Sequence, residues 1–196
     1  MKKILLFTAL MTCMVGTASA KLAGLYVGGN FGYSFTDGEK VKNKSGLNHD
    51  IYLGYKFPLS DTLSLGPEIG FGKLFYSPKG QIDSNSSVKY KTNFYVPVVA
   101  RLQWQMNESL YLFGKVGLAY VSQNVDVTSP IASNNLNESL KKWNTTESIG
   151  LGYNITNGLS TEISYTNVDG EEFRKNINDH KTMKFDTWNI GLNYTF

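Results

Sequence analysis

Side chains in this chain alternate between apolar and small or polar almost from end to end, and that period of two constrains the fold most. In "GLYVGGNFGYSF" the odd positions are Leu25, Val27, Gly29, Phe31, Tyr33 and Phe35, and the even ones are Gly24, Tyr26, Gly28, Asn30, Gly32 and Ser34. The alternation returns over 46–57 and 63–76, and again near 88–104, 109–123, 143–155, 159–166 and 182–196. Successive side chains of a strand point to opposite faces, so these segments read as eight strands with one greasy and one small or polar face. A period of 3.6 is sustained almost nowhere, which argues against helical architectures.

The connections alternate in length. Three are tight and rich in turn formers: "PLSDT" at 58–62, "QMNES" at 105–109 and "TNG" at 156–158. Four are long and polar, roughly 36–45, 77–87, 124–142 and 167–181. Short turns on one rim and long loops on the other describe an all-β, eight-stranded, antiparallel up-and-down meander. Closing it into a barrel removes both sheet edges.

The N-terminus bears on where such a barrel works. Met1-Lys2-Lys3 is followed by an apolar run from Ile4 to Val15, interrupted by Thr8 and Thr12, and then by the small-residue site Ala18-Ser19-Ala20. Residues 1–20 therefore read as a cleaved secretory signal peptide, too short in its apolar part to span a bilayer. The expected mature domain is 21–196. The one cysteine, Cys13, lies in the signal, so the mature chain has none. Without Lys2 and Lys3 the formal charge falls from +3 to +1, which gives no reason to expect nucleic acid as a partner.

Which face points inward follows from the charges. Glu68, Arg101, Lys115 and Glu162 lie on the polar face, deep within four different strands. On the greasy face the ionisable residues His49, Lys73, Glu147, Lys184 and Asp186 are all expected toward the long-loop rim. A lipid-facing charge at the bilayer midplane costs about 2–4 kcal/mol, so the greasy face is expected to meet lipid. The aromatics fall in two bands. Phe57, Trp104, Tyr153, Tyr194 and Phe196 lie toward the tight turns, and Phe35, Phe75, Tyr90, Trp143 and Trp188 toward the long loops. Two such bands are the girdles of a transmembrane barrel.

The last strand, "NIGLNYTF", carries a polar residue, Gly two positions on, and two aromatics. Asn189, Gly191, Tyr194 and Phe196 resemble the C-terminal assembly signal of Gram-negative outer-membrane proteins. With "GLYVGGNFGYSF", "GPEIGFG", "VPVVARLQW" and "LYLFGKVGLAY", the whole mature chain resembles the eight-stranded outer-membrane barrels of the OmpX, opacity-protein and OmpA-transmembrane group, the porin family of barrel domains. The resemblance implies an outer-membrane address in a Gram-negative cell, and the bilayer and the insertion machinery as partners. It departs from full-length OmpA in ending at Phe196, so a periplasmic domain is not expected.

An eight-stranded barrel is just wide enough for side chains to fill. Glu68, Arg101, Lys115 and Glu162 are therefore expected to form a lumenal salt-bridge network that plugs it. Function then falls to the four long loops, as an adhesin or host-interaction surface. A small pore or a lipid-interacting stability protein is the alternative. An outer-membrane lipid-modifying enzyme or protease is third: His49 and Asp50 point to opposite faces of their strand, and His180 follows Asp179 in a polar loop. No catalytic residue is assigned. No His or Cys pair has metal-ligand spacing, and the glycines lie in strands without a following helix, so neither metal nor cofactor is expected.

Overall fold

The computed structural model describes residues 23–36, 41–42, 45–83, 86–128, 136–170 and 182–196. The expected signal peptide and the His180 segment lie outside them. Ten strands follow in order: β1 (Gly24–Phe35), β2 (Val41–Lys42), β3 (Ser45–Pro58), β4 (Leu63–Leu74), β5 (Lys79–Asp83), β6 (Ser86–Gln105), β7 (Leu110–Thr128), β8 (Leu136–Asn154), β9 (Leu159–Val168) and β10 (Phe185–Thr195). All pairings are antiparallel. The sheet runs β2-β5-β6-β4-β3-β1-β10-β9-β8-β7, and a further pairing of β6 with β7 closes it. Eight strands make the barrel, because β2 and β5 form a short ribbon that continues along β6 beyond β4.

The three tight turns are tied by their own side chains. Ser60 Oγ accepts from the amides of Thr62 and Leu63, Asn107 Oδ1 from Ser109 and Leu110, and Thr156 Oγ1 from Gly158 and Leu159. A short polar side chain that bonds the backbone two or three residues on bends the chain locally, and this explains the turn composition.

Barrel tilt follows from register. Pairs carried round from Tyr26 through Gly54, Glu68, Val99, Gly117, Thr146 and Val168 reach Phe185, whose level on β1 is Thr36, ten residues further on. With eight strands, that shear corresponds to a tilt of about 40°. Along β8, Trp143 and Tyr153 are both exposed on the outer face. At this tilt they stand about 25 Å apart along the barrel axis, the height of a lipid-facing apolar band. The wall between the bands is greasy, with Val27, Ile51, Ile69, Val98, Leu118, Ile149, Ile163 and Ile190 all exposed.

Strand extents differ from the sequence expectation on the long-loop side. Most of 124–142 is strand, since β7 runs to Thr128 and β8 starts at Leu136, with Asn124 opposite Ser139. The 77–87 segment contains β5 and the start of β6, the 36–45 segment contains β2, the 167–181 segment begins inside β9, and β10 starts at Phe185 and not at 182. Above the bilayer both faces of a strand meet water. The ladder continues there while hydrophobic alternation, imposed by lipid on one face only, fades.

One side chain of the outer girdle lies elsewhere. A bulge between Thr92 and Phe94 shifts the register of β6. Phe94 stacks outside on Phe71, whereas Thr92 accepts from buried Gln123, so Tyr90 shares the inner face of Thr92 and leaves the outer girdle. Glu147 is exposed on the outer wall four residues below Trp143 and six above Tyr153, in the half of the lipid-facing band toward the long loops.

Candidate functional site

Near the middle of the span, seven barrel strands send side chains into one cluster. Arg101 of β6 is 2 % exposed. Its guanidinium donates twice to Glu162 of β9, Nη2 to Oε1 at 2.8 Å and Nη1 to Oε2 at 3.2 Å, and Nη2 also reaches Gln103 Oε1 at 3.1 Å. Arg101 Nη1 lies 3.7 Å from Glu68 Oε2 of β4, and Lys115 Nζ of β7 lies 2.7 Å from Glu68 Oε1. Glu68, Arg101, Lys115 and Glu162 thus form one chain of alternating charge. A buried charge is tolerable when paired and hydrogen-bonded, and the two-pronged guanidinium fork is the strong form of that pairing.

Tyrosines complete the carboxylates' shells. Tyr26 of β1 donates to Glu68 Oε2 at 2.8 Å, Tyr111 of β7 to Glu162 Oε1 at 2.7 Å, and Tyr52 of β3 to Glu162 Oε2 at 3.3 Å. Asn193 of β10 adds a bond to Glu162 Oε1 at 3.2 Å. Arg101 also lies over the Phe113 ring at 4.1 Å, and Lys115 over Tyr52 at 4.5 Å, where the negative ring faces favour cations. The remaining strand, β8, contributes space: a Cβ on Gly152 would meet Tyr111 Cζ at 2.0 Å.

The sequence reading did not single out these tyrosines. Their signal is cross-strand. Tyr26 pairs with Gly54, Tyr52 with Gly28, Tyr111 with Gly152 and Tyr95 with Gly72. Each interior ring lies over a glycine directly opposite, which lets a wide side chain turn across a narrow lumen.

Above the charges the interior changes character. Asp50 accepts from Asn30 at 2.8 Å and Tyr95 at 3.4 Å, and Asn48 donates to Asn189 at 2.7 Å. Over these polar contacts sits an apolar cluster of Leu74, Tyr95, Ala119, Val121, Val168 and Phe185, where a uniformly small and polar inner face had been expected. Tyr95 and Phe185 rings pack at 5.4 Å. Between the two layers lies a cavity of about 50 Å³ against Gly70 and Pro97. Pro97 has no amide hydrogen, and the β4–β6 pairing lapses between Ile69 and Gly72. Next to the apolar layer, Tyr76 shares a hydrogen bond with Thr36 at 3.0 Å, and burial pushes its phenol up to about 12.

The other singled-out residues lie elsewhere. Trp104, Trp143 and Trp188 are exposed on the outer wall and Phe57 is partly exposed there. Asn189 and Gly191 point inward, while Tyr194 and Phe196 point outward with rings 5.1 Å apart. His49 stacks on Phe75 at 4.9 Å on the outer wall, away from Asp50 inside. Asp186 is on the outer face yet buried, because Tyr165 and Asn167 both donate to its Oδ1. Among the described residues no group of three or more His, Cys, Asp or Glu could hold a metal ion.

A closed antiparallel barrel with a greasy outer wall and a charged, side-chain-filled interior is an integral membrane β-barrel. The chain belongs to the outer membrane protein β-barrel domain family, whose pattern matches residues 5–196, and its place is the outer membrane of a Gram-negative cell. It is similar to the 31 kDa outer-membrane immunogenic protein of Brucella melitensis, 26% identical, over 87% of this chain and 79% of the relative. Among solved structures it shares the fold of OprG from Pseudomonas aeruginosa, with a TM-score of 0.55, 13% identity, and 91% of this chain and 99% of that one covered. It also shares the fold of Ail, the attachment invasion locus protein of Yersinia pestis, with a TM-score of 0.52, 18% identity, and 89% and 97% covered.

Proposed function

We propose that this protein is a structural barrel that presents a binding surface to the exterior, an adhesin or host-interaction protein whose lumen is closed to solutes. The observation that carries this reading is the double filling of the interior. The Arg101–Glu162–Glu68–Lys115 cluster draws on strands all round the barrel, and the Leu74–Phe185 layer lies above it with a cavity of about 50 Å³ between. Permeation would have to break paired buried charges and displace packed rings, so the barrel serves as a scaffold. What it carries is the outward extension of β6, β7 and β8, of 20, 19 and 19 residues against 12 for β1. Binding residues concentrate on segments held by such rigid frames. The names of the Brucella relatives describe them as immunogenic, which fits surface exposure.

We read the protein as a non-enzyme. His49 is stacked on Phe75 and separated from Asp50 by the barrel wall, so the two form no dyad. The test compares a deletion strain with its parent for attachment to host cells and for uptake of small solutes. Lost attachment with unchanged permeability is the expected result. Unchanged attachment with altered permeability would instead support the small-pore or membrane-stability reading.

A further inference from the structure

The outer wall carries a knob and a notch on opposite sides of the barrel, at one depth. The knob is on β3 and β4, where exposed Phe75 stacks on His49 and Lys73 Nζ lies 6.0 Å from the Phe75 ring. The notch is a cleft of about 500 Å³ across β7, β8 and β9, lined on the outside by Val116, Thr145, Glu147, Asn167 and Asp169. Thr145 Oγ1 donates to Asp169 Oδ2 at 3.3 Å, which fixes one carboxylate at its upper edge.

Position follows from the pairing. Around the barrel the strands run β1, β3, β4, β6, β7, β8, β9, β10, so β8 is diametrically opposite β3, and β9 opposite β4. Pairs from His49 run through Phe31, Ile190 and Ile163 to Leu151 on β8. Half of the ten-residue shear raises the level by about five residues, to between Thr145 and Glu147. The same steps from Lys73, the partner of His49, reach Ile163 on β9, and the same rise ends between Asn167 and Asp169. His49 therefore faces away from Glu147, and Lys73 away from Asp169, at matching depth.

We propose that copies of this chain dock knob into notch, side by side in the membrane plane; face to face the strand order reverses, so β4 meets β8 and β3 meets β9, with Lys73 of one copy against Glu147 of the next and His49 against Asp169. Neither Lys73 nor Glu147 has an ion-pair partner among the described residues, although both sit on a wall that otherwise meets lipid. A charge on a lipid-facing wall is unfavourable and a neighbour of opposite sign relieves it. The two patches differ from each other, so the contact is head-to-tail. Because they lie on opposite sides, it does not close on itself and builds rows.

The test uses the expected absence of cysteine from the mature chain. A Phe75→Cys/Thr145→Cys variant in native outer membranes, oxidised mildly, should give a ladder of dimers, trimers and higher species, while each single variant stays monomeric. Adding Lys73→Glu should reduce the ladder about tenfold by like-charge opposition, and adding Glu147→Lys to that variant should restore it. Heat-modified gel mobility of each variant checks that the barrel is folded. Dimers from Phe75→Cys alone would show a two-fold contact and overturn the head-to-tail arrangement. A ladder insensitive to Lys73→Glu, or one that the charge swap does not restore, would show crowding or lipid phosphate as the partner of Lys73 and overturn the proposal. Absence of any ladder would also overturn it.

Discussion

Arg101 is the residue on which most of the interior depends. It holds Glu162 by two bonds, approaches Glu68, and lies on Phe113. Arg101→Ala would leave Glu162, itself 4 % exposed, with hydrogen bonds but no adjacent cation. Stranding such a charge costs about 3–5 kcal/mol. Arg101→Lys keeps the charge but loses the fork, so its loss should fall between wild type and Arg101→Ala. Urea unfolding in lipid vesicles measures both, and an unchanged midpoint for Arg101→Ala would show that the cluster contributes nothing to stability. The four charges could be picked out from sequence because lipid forbids them outside and they lie deep within strands. Tyr26, Tyr52 and Tyr111 could not, since a tyrosine on the polar face suits either environment. Only the register that sets each one opposite a glycine shows why it fits.

At the scale of elements, the tight turns and the membrane-crossing parts of the strands were legible, and the outward extensions were not. Lipid enforces alternation only where it touches the wall. The pairs Asn124–Ser139 and Lys91–Asn124 lie above the bilayer and carry polar residues on both strands, so composition there resembles a loop. The bulge at Thr92–Phe94 was hidden for a related reason: one inserted residue inverts the inside and outside of everything beyond it without changing composition. Strand direction gives an expectation here. If the long extensions face outward, Lys141→Cys, an exposed position on upper β8, should react with a membrane-impermeant maleimide on intact cells. Asn107→Cys, in the tight β6–β7 turn, should react only after the outer membrane is opened. Labelling of Asn107→Cys on intact cells would invert the assigned topology.

For the molecule as a whole, eight strands and a shear of ten leave a lumen that side chains can fill, and the interior is filled in two chemically distinct layers. The charged layer is held by bonds from strands all round the barrel, and the apolar one by ring packing. The account of a scaffold that binds outside and does not conduct depends on both layers staying closed. Its most direct test is ion conductance of the purified, folded protein in planar lipid bilayers. The account predicts no steady open state above the bare-lipid baseline. A stable, ion-selective conductance from the wild-type barrel would contradict it and make the small-pore reading the better one.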